Sequence, residues 1–157
     1  MNTHPAQLLP RGLTAALLAS ITLITAAPAA HAETHQVKML NRGAGGAMIY
    51  EPDFLKIKPG DTVKFRATSS GHDAASIPEM TPAGASTFKG KINEEVEVTF
   101  TEKGFYGIKC LPHYAMGMVM LIQVGDEADP KTVQIPDSVP ARARKRFEQM
   151  IERAGKP

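Results

Sequence analysis

The feature that most constrains this chain is a period-two alternation of apolar and polar residues, broken at short intervals by turn residues, between positions 36 and 124. Val63 and Phe65 alternate with Lys64 and Arg66, and Val96, Val98 and Phe100 alternate with Glu95, Glu97 and Thr99. Successive side chains of a strand point to opposite faces, so this pattern marks half-buried strands. Tyr106, Ile108 and Cys110 share one face of a further strand, with Phe105, Gly107 and Lys109 on the other. Met118 to Val124 is nearly continuously apolar, which suits a final strand inside the core. Between these runs lie Asn41 to Gly46, the Lys58-Pro59-Gly60-Asp61 turn, Ser69-Ser70-Gly71 and the irregular stretch Pro78 to Gly90. Proline presets φ and glycine permits positive φ, which is what tight turns require. Short strands separated by frequent turns predict an all-β antiparallel sandwich over 33–125.

The pattern changes after Gly125. Asp129 and Pro130 are placed to open a short helical turn, and Ser138 to cap a longer helix with Pro140 in its first turn. Phe147, Met150 and Ile151 fall at helical spacing, so 126–157 is expected to be a helical extension with one apolar stripe packed on the same domain. The basic cluster Arg142, Arg144, Lys145, Arg146 reads first as a solvated helix face, with binding of an anion or acidic surface as the alternative. At the other end, Arg11 precedes an uncharged stretch from Leu13 to Ala27, and Ala30-His31-Ala32 has the small-x-small form of a cleavage site. Residues 1–32 are therefore expected to be a secretory signal peptide, with the mature chain starting at Glu33. The apolar run falls short of the ~20 residues that span a bilayer. Removing this leader, whose only charged side chain is Arg11, takes the formal charge from +2 to +1. A near-neutral chain argues against a general nucleic-acid binder, and its length suits one domain.

An exported chain meets oxidising conditions, yet this one has a single cysteine and cannot form an internal disulfide. A lone thiol there survives if it is buried or metal-bound. Cys110 opens the segment Cys110-Leu111-Pro112-His113-Tyr114-Ala115-Met116-Gly117-Met118, which holds a thiolate, an imidazole and a thioether on one short loop. The chain after residue 32 has only two other histidines: His35, expected at the surface, and His72, in Gly71-His72-Asp73 just after a strand. In a sandwich the His72 loop can lie beside the cysteine loop. His72, Cys110, His113 and Met118 would then form a His₂Cys site with a long axial Met, the ligand pattern of blue-copper electron carriers. Thiolate suits Cu(I) and couples strongly to Cu(II), neutral imidazole accepts both states, and a distant thioether tunes the potential. Such a set leaves no position for substrate, which favours a carrier over an enzyme. The competing readings are a closed zinc site, which more often uses further Cys or His; a copper carrier or chaperone with exposed methionines; a catalytic copper domain, which would need histidines beyond His35; and a metal-free sandwich module.

These residues resemble the pseudoazurins, a family of small periplasmic cupredoxins, over nearly all of 33–157. Val37 to Asn41, Gly43 to Pro52, Lys58 to Val63 and Cys110 to Met118 carry the resemblance, together with the C-terminal extension. It implies an eight-stranded Greek-key β-sandwich with a two-helix C-terminal extension, and one type 1 copper ion held by His72, Cys110, His113 and Met118 but not Met116. It also implies a periplasmic electron carrier, monomeric by default, that serves nitrite reductase of denitrification. Nitrous oxide reductase, c-type cytochromes and dehydrogenases are compatible alternatives as partners. Two residues depart from the family: Asp73 stands where Asn is usual, and Leu111 where Thr is usual. A carboxylate accepts hydrogen bonds but cannot donate them, so the tie between the two ligand loops is expected to be rebuilt or weakened. Its charge is expected to favour Cu(II), giving a lower potential than the Asp73→Asn variant would have. Pro112 has no N–H to offer the sulfur. In relatives the second ligand histidine is the exposed edge of the site. Here that edge is His113, ringed by Met48, Pro112, Ala115 and Met116 as an electron port. Around it Arg42, Lys89, Lys91 and Lys109 are expected to form a basic ring that steers an acidic partner and weakens with salt.

Overall fold

The computed structural model describes Met1 and residues 31–156, so the expected signal peptide lies outside the described residues except for Met1, His31 and Ala32. Eight strands form the domain: β1 (Thr34–Gly43), β2 (Gly46–Glu51), β3 (Phe54–Ile57), β4 (Thr62–Arg66), β5 (Ala75–Ser76), β6 (Val96–Thr99), β7 (Gly104–Lys109) and β8 (Val119–Val124). They make two four-stranded sheets, ordered β2-β1-β4-β6 and β3-β8-β7-β5. This strand order matches the eight-stranded Greek-key sandwich that the resemblance implies, with one correction to the antiparallel expectation. β1 pairs with β4 and β3 with β8 in parallel. After the β1–β2 hairpin the chain crosses to the second sheet as β3 and returns beside β1 as β4. Strands brought together by a crossover can run in the same direction, whereas a hairpin cannot.

Two cores explain the burial pattern. Between the sheets lie Val37, Met39, Tyr50, Val63, Phe65, Phe100, Tyr106, Ile108, Met120, Ile122 and Val124, and Cys110 and Met118 belong to the same cluster. A file of aromatic rings runs through it, Tyr50–Phe65–Phe88–Phe100–Tyr106, with centroids 4.9–6.5 Å apart. The second core lies outside the β3-β8-β7-β5 sheet, where Val119 and Leu121 pack with Ile77, Met80, Val139, Ala143, Phe147 and Met150. Strand β8 is thus covered on both faces, which is why its sequence shows an unbroken apolar run rather than an alternation. Gly107 allows this packing, because a Cβ there would stand 2.8 Å from the Cβ of Met80.

The C-terminal segment contains one α-helix, α1 (Ala141–Ala154), and a single 3₁₀ turn at Pro130–Thr132 rather than two helices. Prolines at 130, 136 and 140 each remove a backbone donor and punctuate the segment before α1. Ser138 does not cap α1. Pro140 occupies the N-cap position with no side-chain cap, and its carbonyl accepts the Arg144 N–H at 2.9 Å. The expected apolar stripe is present, with Ala143, Phe147 and Met150 buried.

His35 also differs from expectation. It is half-buried, its Nε2 3.0 Å from Asp61 Oδ2. Asp61, in the Pro-Gly turn, is 2 % exposed and accepts the backbone N–H groups of Glu33 at 2.8 Å and Lys58 at 2.9 Å. Burial alone would raise its carboxyl pKa, but these donors and His35 outweigh it and hold the group below its ordinary value.

Candidate metal centre

Two loops at one end of the inter-sheet core converge. The first joins β4 to β5 and carries His72. Gly71 turns it at φ +92°, a conformation that favours glycine. Asn93, from the turn before β6, holds it on both sides. Its Oδ1 accepts the Gly71 N–H at 2.5 Å and its own N–H donates to the His72 carbonyl at 2.9 Å. The second loop joins β7 to β8 and is closed by its own backbone. Cys110 N–H donates to the Met118 carbonyl at 3.0 Å, and Met116 and Met118 N–H both donate to the His113 carbonyl at 3.0 and 3.1 Å. The loop runs through a 3₁₀ turn, Tyr114–Met116, and reverses at Gly117 with φ +91°.

The consequence is a compact donor set. His72 Nδ1 lies 3.1 Å from His113 Nδ1, and Cys110 Sγ lies 3.8 and 3.5 Å from these two nitrogens. All three ligand atoms lie within 4.8 Å of one another. His72 Nε2 is 2.8 Å from Asn41 Oδ1, so it carries the proton and leaves Nδ1 with the lone pair aimed inward. Two inward imidazole nitrogens and a sulfur, crowded this closely, suit a shared cation, and the S/N/N chemistry suits copper. His72, Cys110 and Met118 are fully buried, whereas His113 is only partly so. Met116, by contrast, is 43 % exposed.

Electrostatics prepare the set for a metal. Burial, reinforced by the neighbouring His113, lowers the His72 pKa against the opposing pull of Asp73, which favours the neutral ring a metal needs. Burial pushes the Cys110 thiol up to about 11, although backbone N–H groups of Asp73 and His113 oppose the rise. Without a cation the thiol is therefore protonated at neutral pH. Metal uptake must displace that proton.

Asp73 settles what its departure from Asn does. The residue is 3 % exposed, and its Oδ1 accepts the Leu111 N–H at 2.7 Å. Tyr50 OH donates to the Asp73 carbonyl at 2.7 Å. The tie between the loops is therefore rebuilt, with the carboxylate accepting from the backbone beyond the cysteine. Pro112 offers the sulfur no N–H, and the next N–H along the loop, that of His113, donates to the Cys110 carbonyl at 3.2 Å.

The remaining sequence-derived positions divide. Pro112 and Ala115 are exposed beside His113, and Met48 is half-buried against the inter-sheet core. Leu111 is 42 % exposed. Lys89 and Lys109 both pair with Ala75 of β5 and, with Leu111, line one depression of about 340 Å³. Lys109 Nζ also lies 5.1 Å from the Tyr114 ring centroid. Lys91 is exposed and lies 3.5 Å from Glu94. Arg42 is exposed and lies opposite Ala47 in the β1–β2 hairpin. Sequence reasoning gave no role to Asn93 or Tyr50, and named Asn41 only within a turn and the family pattern. The one local signal for Asn93 is its positive φ of 68°, which Asn tolerates better than most residues.

The family described as copper binding proteins, plastocyanin/azurin family, matches residues 37–125. The chain is 43% identical over 130 residues to a pseudoazurin of Paracoccus pantotrophus, covering 83% of this chain and 90% of that one. It is 46% identical over 119 residues to a pseudoazurin of Methylorubrum extorquens, covering 76% and 80%. The solved structure of a pseudoazurin from Sinorhizobium meliloti superposes with a TM-score of 0.72 at 39% identity, over 79% of this chain and 99% of that chain.

Proposed function

The chain belongs to the pseudoazurins, within the plastocyanin/azurin family of copper-binding proteins, and we propose that His72, Cys110, His113 and Met118 hold its copper as a type 1 site that passes single electrons between redox proteins in the periplasm. The carrying observation is the convergence of the His72, Cys110 and His113 donor atoms at the end of a rigid core. When bound, copper supplies a one-electron Cu(I)/Cu(II) couple. The protein's part is to keep the donors fixed in both states. Cys110 and Met118 are pinned to each other through one backbone hydrogen bond, His72 through Asn41 and Asn93, and the Leu111 peptide through Asp73. Burial of His72, Cys110 and Met118 excludes water and leaves the His113 edge as the route outward.

Met116 and Leu111, both exposed, flank that edge as an apolar contact surface. Arg42, Lys89, Lys109, Arg142 and Lys145 have no carboxylate within ion-pair distance among the described residues, so their charge is free to attract an acidic partner. Nitrite reductase is the partner the family resemblance favours. Export to the periplasm is supported by the sequence, in which Arg11, the uncharged stretch Leu13 to Ala27 and Ala30-His31-Ala32 have the form of a secretory leader. Glu33, the residue after the small-x-small segment, is engaged through its N–H by Asp61 and through its carbonyl by Thr62.

Electron transfer to an acidic redox partner is expected to slow as ionic strength rises. Reversing Lys89 and Lys109 together to glutamate should lower the low-salt second-order rate about tenfold and flatten the salt dependence, while Lys131→Glu, in the segment before α1, leaves both unchanged. Stopped-flow measurements at several salt concentrations check this. A double variant with the wild-type rate and salt slope removes these lysines from the docking surface.

A further inference from the structure

Arg146 is the one cation of the C-terminal helix whose hydrogen bonds run to the metal end of the domain. Its Nη1 donates to the Met48 carbonyl at 2.7 Å and to the Gly117 carbonyl at 2.8 Å, and its Nη2 donates to the Ala47 carbonyl at 2.9 Å. These carbonyls come from two segments remote in sequence from the helix and from each other. Arg144 also spends its guanidinium on carbonyls, but on Ile135 and Pro136 in the segment before its own helix. Arg153 pairs with Asp53 on the surface.

We propose that Arg146 is a positioning residue for the metal centre, fixing from outside the peptide that carries Met118 and the backbone that carries Met48. The Gly117 carbonyl and the Met118 N–H belong to one peptide plane. Arg146 holds its oxygen edge, and the His113 carbonyl holds its N–H edge at 3.1 Å. A plane bonded on both edges cannot rotate without losing one bond, so the two bonds together fix ψ of Gly117 and φ of Met118, the torsions that set how the chain enters Met118. The next plane is held as well, since the Met118 carbonyl accepts the Cys110 N–H. Gly117 has little alternative position, because the turn presses against α1. A Cβ there would lie 3.2 Å from the Arg142 carbonyl oxygen.

Met48 supplies a second observation. It stands at φ +49°, in the left-handed region that non-glycine residues avoid. Its own carbonyl is the group Arg146 binds, so the bond offsets the strain of that conformation. A guanidinium suits this task because its planar fork presents several fixed donors at once, whereas a lysine ammonium is a single rotatable point. The helix therefore reaches the site by two routes: apolar packing of Phe147 behind β8 and polar clamping by Arg146.

This inference rests on Met118 being a ligand. The test uses copper-loaded full-length mature protein carrying Arg146→Gln, Arg146→Lys or, as a control on the same helix, Arg153→Ala. The readouts are the visible and EPR spectra, the reduction potential, the rate of copper loss to a chelator, and the thermal midpoint. Both Arg146 variants should change the spectrum and the potential and release copper about tenfold faster or more, with Lys failing to restore them. Arg153→Ala should lower the midpoint without moving the spectrum. Should Arg146→Gln fail to fold, Arg146→Lys, which keeps the charge, decides the matter. Arg146 variants with wild-type spectrum, potential and copper-loss rate would overturn the proposal. A wild-type protein without a thiolate–copper band would instead overturn the ligand assignment itself.

Discussion

Replacing Cys110 with serine is expected to abolish thiolate-to-copper charge transfer and one-electron cycling while leaving the sandwich folded. Serine is close to cysteine in size, so the fully buried position suffers no cavity of consequence. Its hydroxyl stays beside the backbone N–H groups of Asp73 and His113. The stability cost is therefore that of burying a partly satisfied hydroxyl, about 1–3 kcal/mol. The functional loss is of another order, because an alcohol does not ionise under conditions where a metal displaces the proton of a thiol. His72 and His113 remain close enough to hold a copper ion weakly. The measurement is thus the charge-transfer band and the redox couple together with metal content, with far-UV circular dichroism confirming the fold. A serine variant that keeps the band and the couple would remove Cys110 from the site.

The second large effect is expected from Asp73→Asn. The Oδ1 of an asparagine can still accept the Leu111 N–H, and the residue's own backbone N–H still faces the sulfur. The substitution thus removes a buried charge while keeping the tie between the ligand loops. A unit charge within roughly 10 Å is worth about 1–2 kcal/mol at an effective dielectric near 20. For one electron that is ~40–90 mV. The carboxylate favours the more positive Cu(II) state, so its loss should raise the potential by that order. Redox titration of the two proteins checks it, and an equal or lower potential in the variant contradicts the assignment. Asp73→Ala adds a contrast, because it also leaves the part-buried Leu111 N–H without its acceptor. It should shift the potential and lower the thermal midpoint as well, whereas Asn moves the potential with little loss of stability.

The legible and illegible parts of this molecule separate along physical lines. Alternation along β4, β6 and β7 reported each strand's own faces, so the strands and most core residues could be read directly. Pairing direction could not, because the parallel pairs β1/β4 and β3/β8 follow from a crossover between sheets, and no local pattern records that. Strand β8 hid its period because α1 covers its outer face. The C-terminal helix was visible through Phe147 and Met150 and the short turn before it through Asp129 and Pro130, whereas the second helix that the resemblance implies does not form among the described residues, where prolines at 130, 136 and 140 punctuate the segment. At the metal end, Cys110, His113 and Met118 announced themselves by lying on one short loop. His72 joined them by elimination among three histidines. The role of Asp73 was read only by what it lacks, a donor. That the Leu111 N–H would be available to it depends on the relative placement of two loops. The four clustered basic residues in the first turns of α1, Arg142, Arg144, Lys145 and Arg146, looked alike in sequence. Arg146 stands apart because its partners, 29 and 98 positions away, are backbone carbonyls that carry no sequence signal.

The central claim is that four side chains from two loops hold one copper ion that changes by a single charge. The most direct measurement is a potentiometric titration of the copper-loaded mature protein followed by its visible and EPR spectra. The account predicts one copper per chain and an intense thiolate-to-copper band in the oxidised form. One electron per copper should bleach that band, and reoxidation should restore it in full. A colourless oxidised protein, or one whose spectrum is that of Cu(II) bound by nitrogen and oxygen alone, would contradict it.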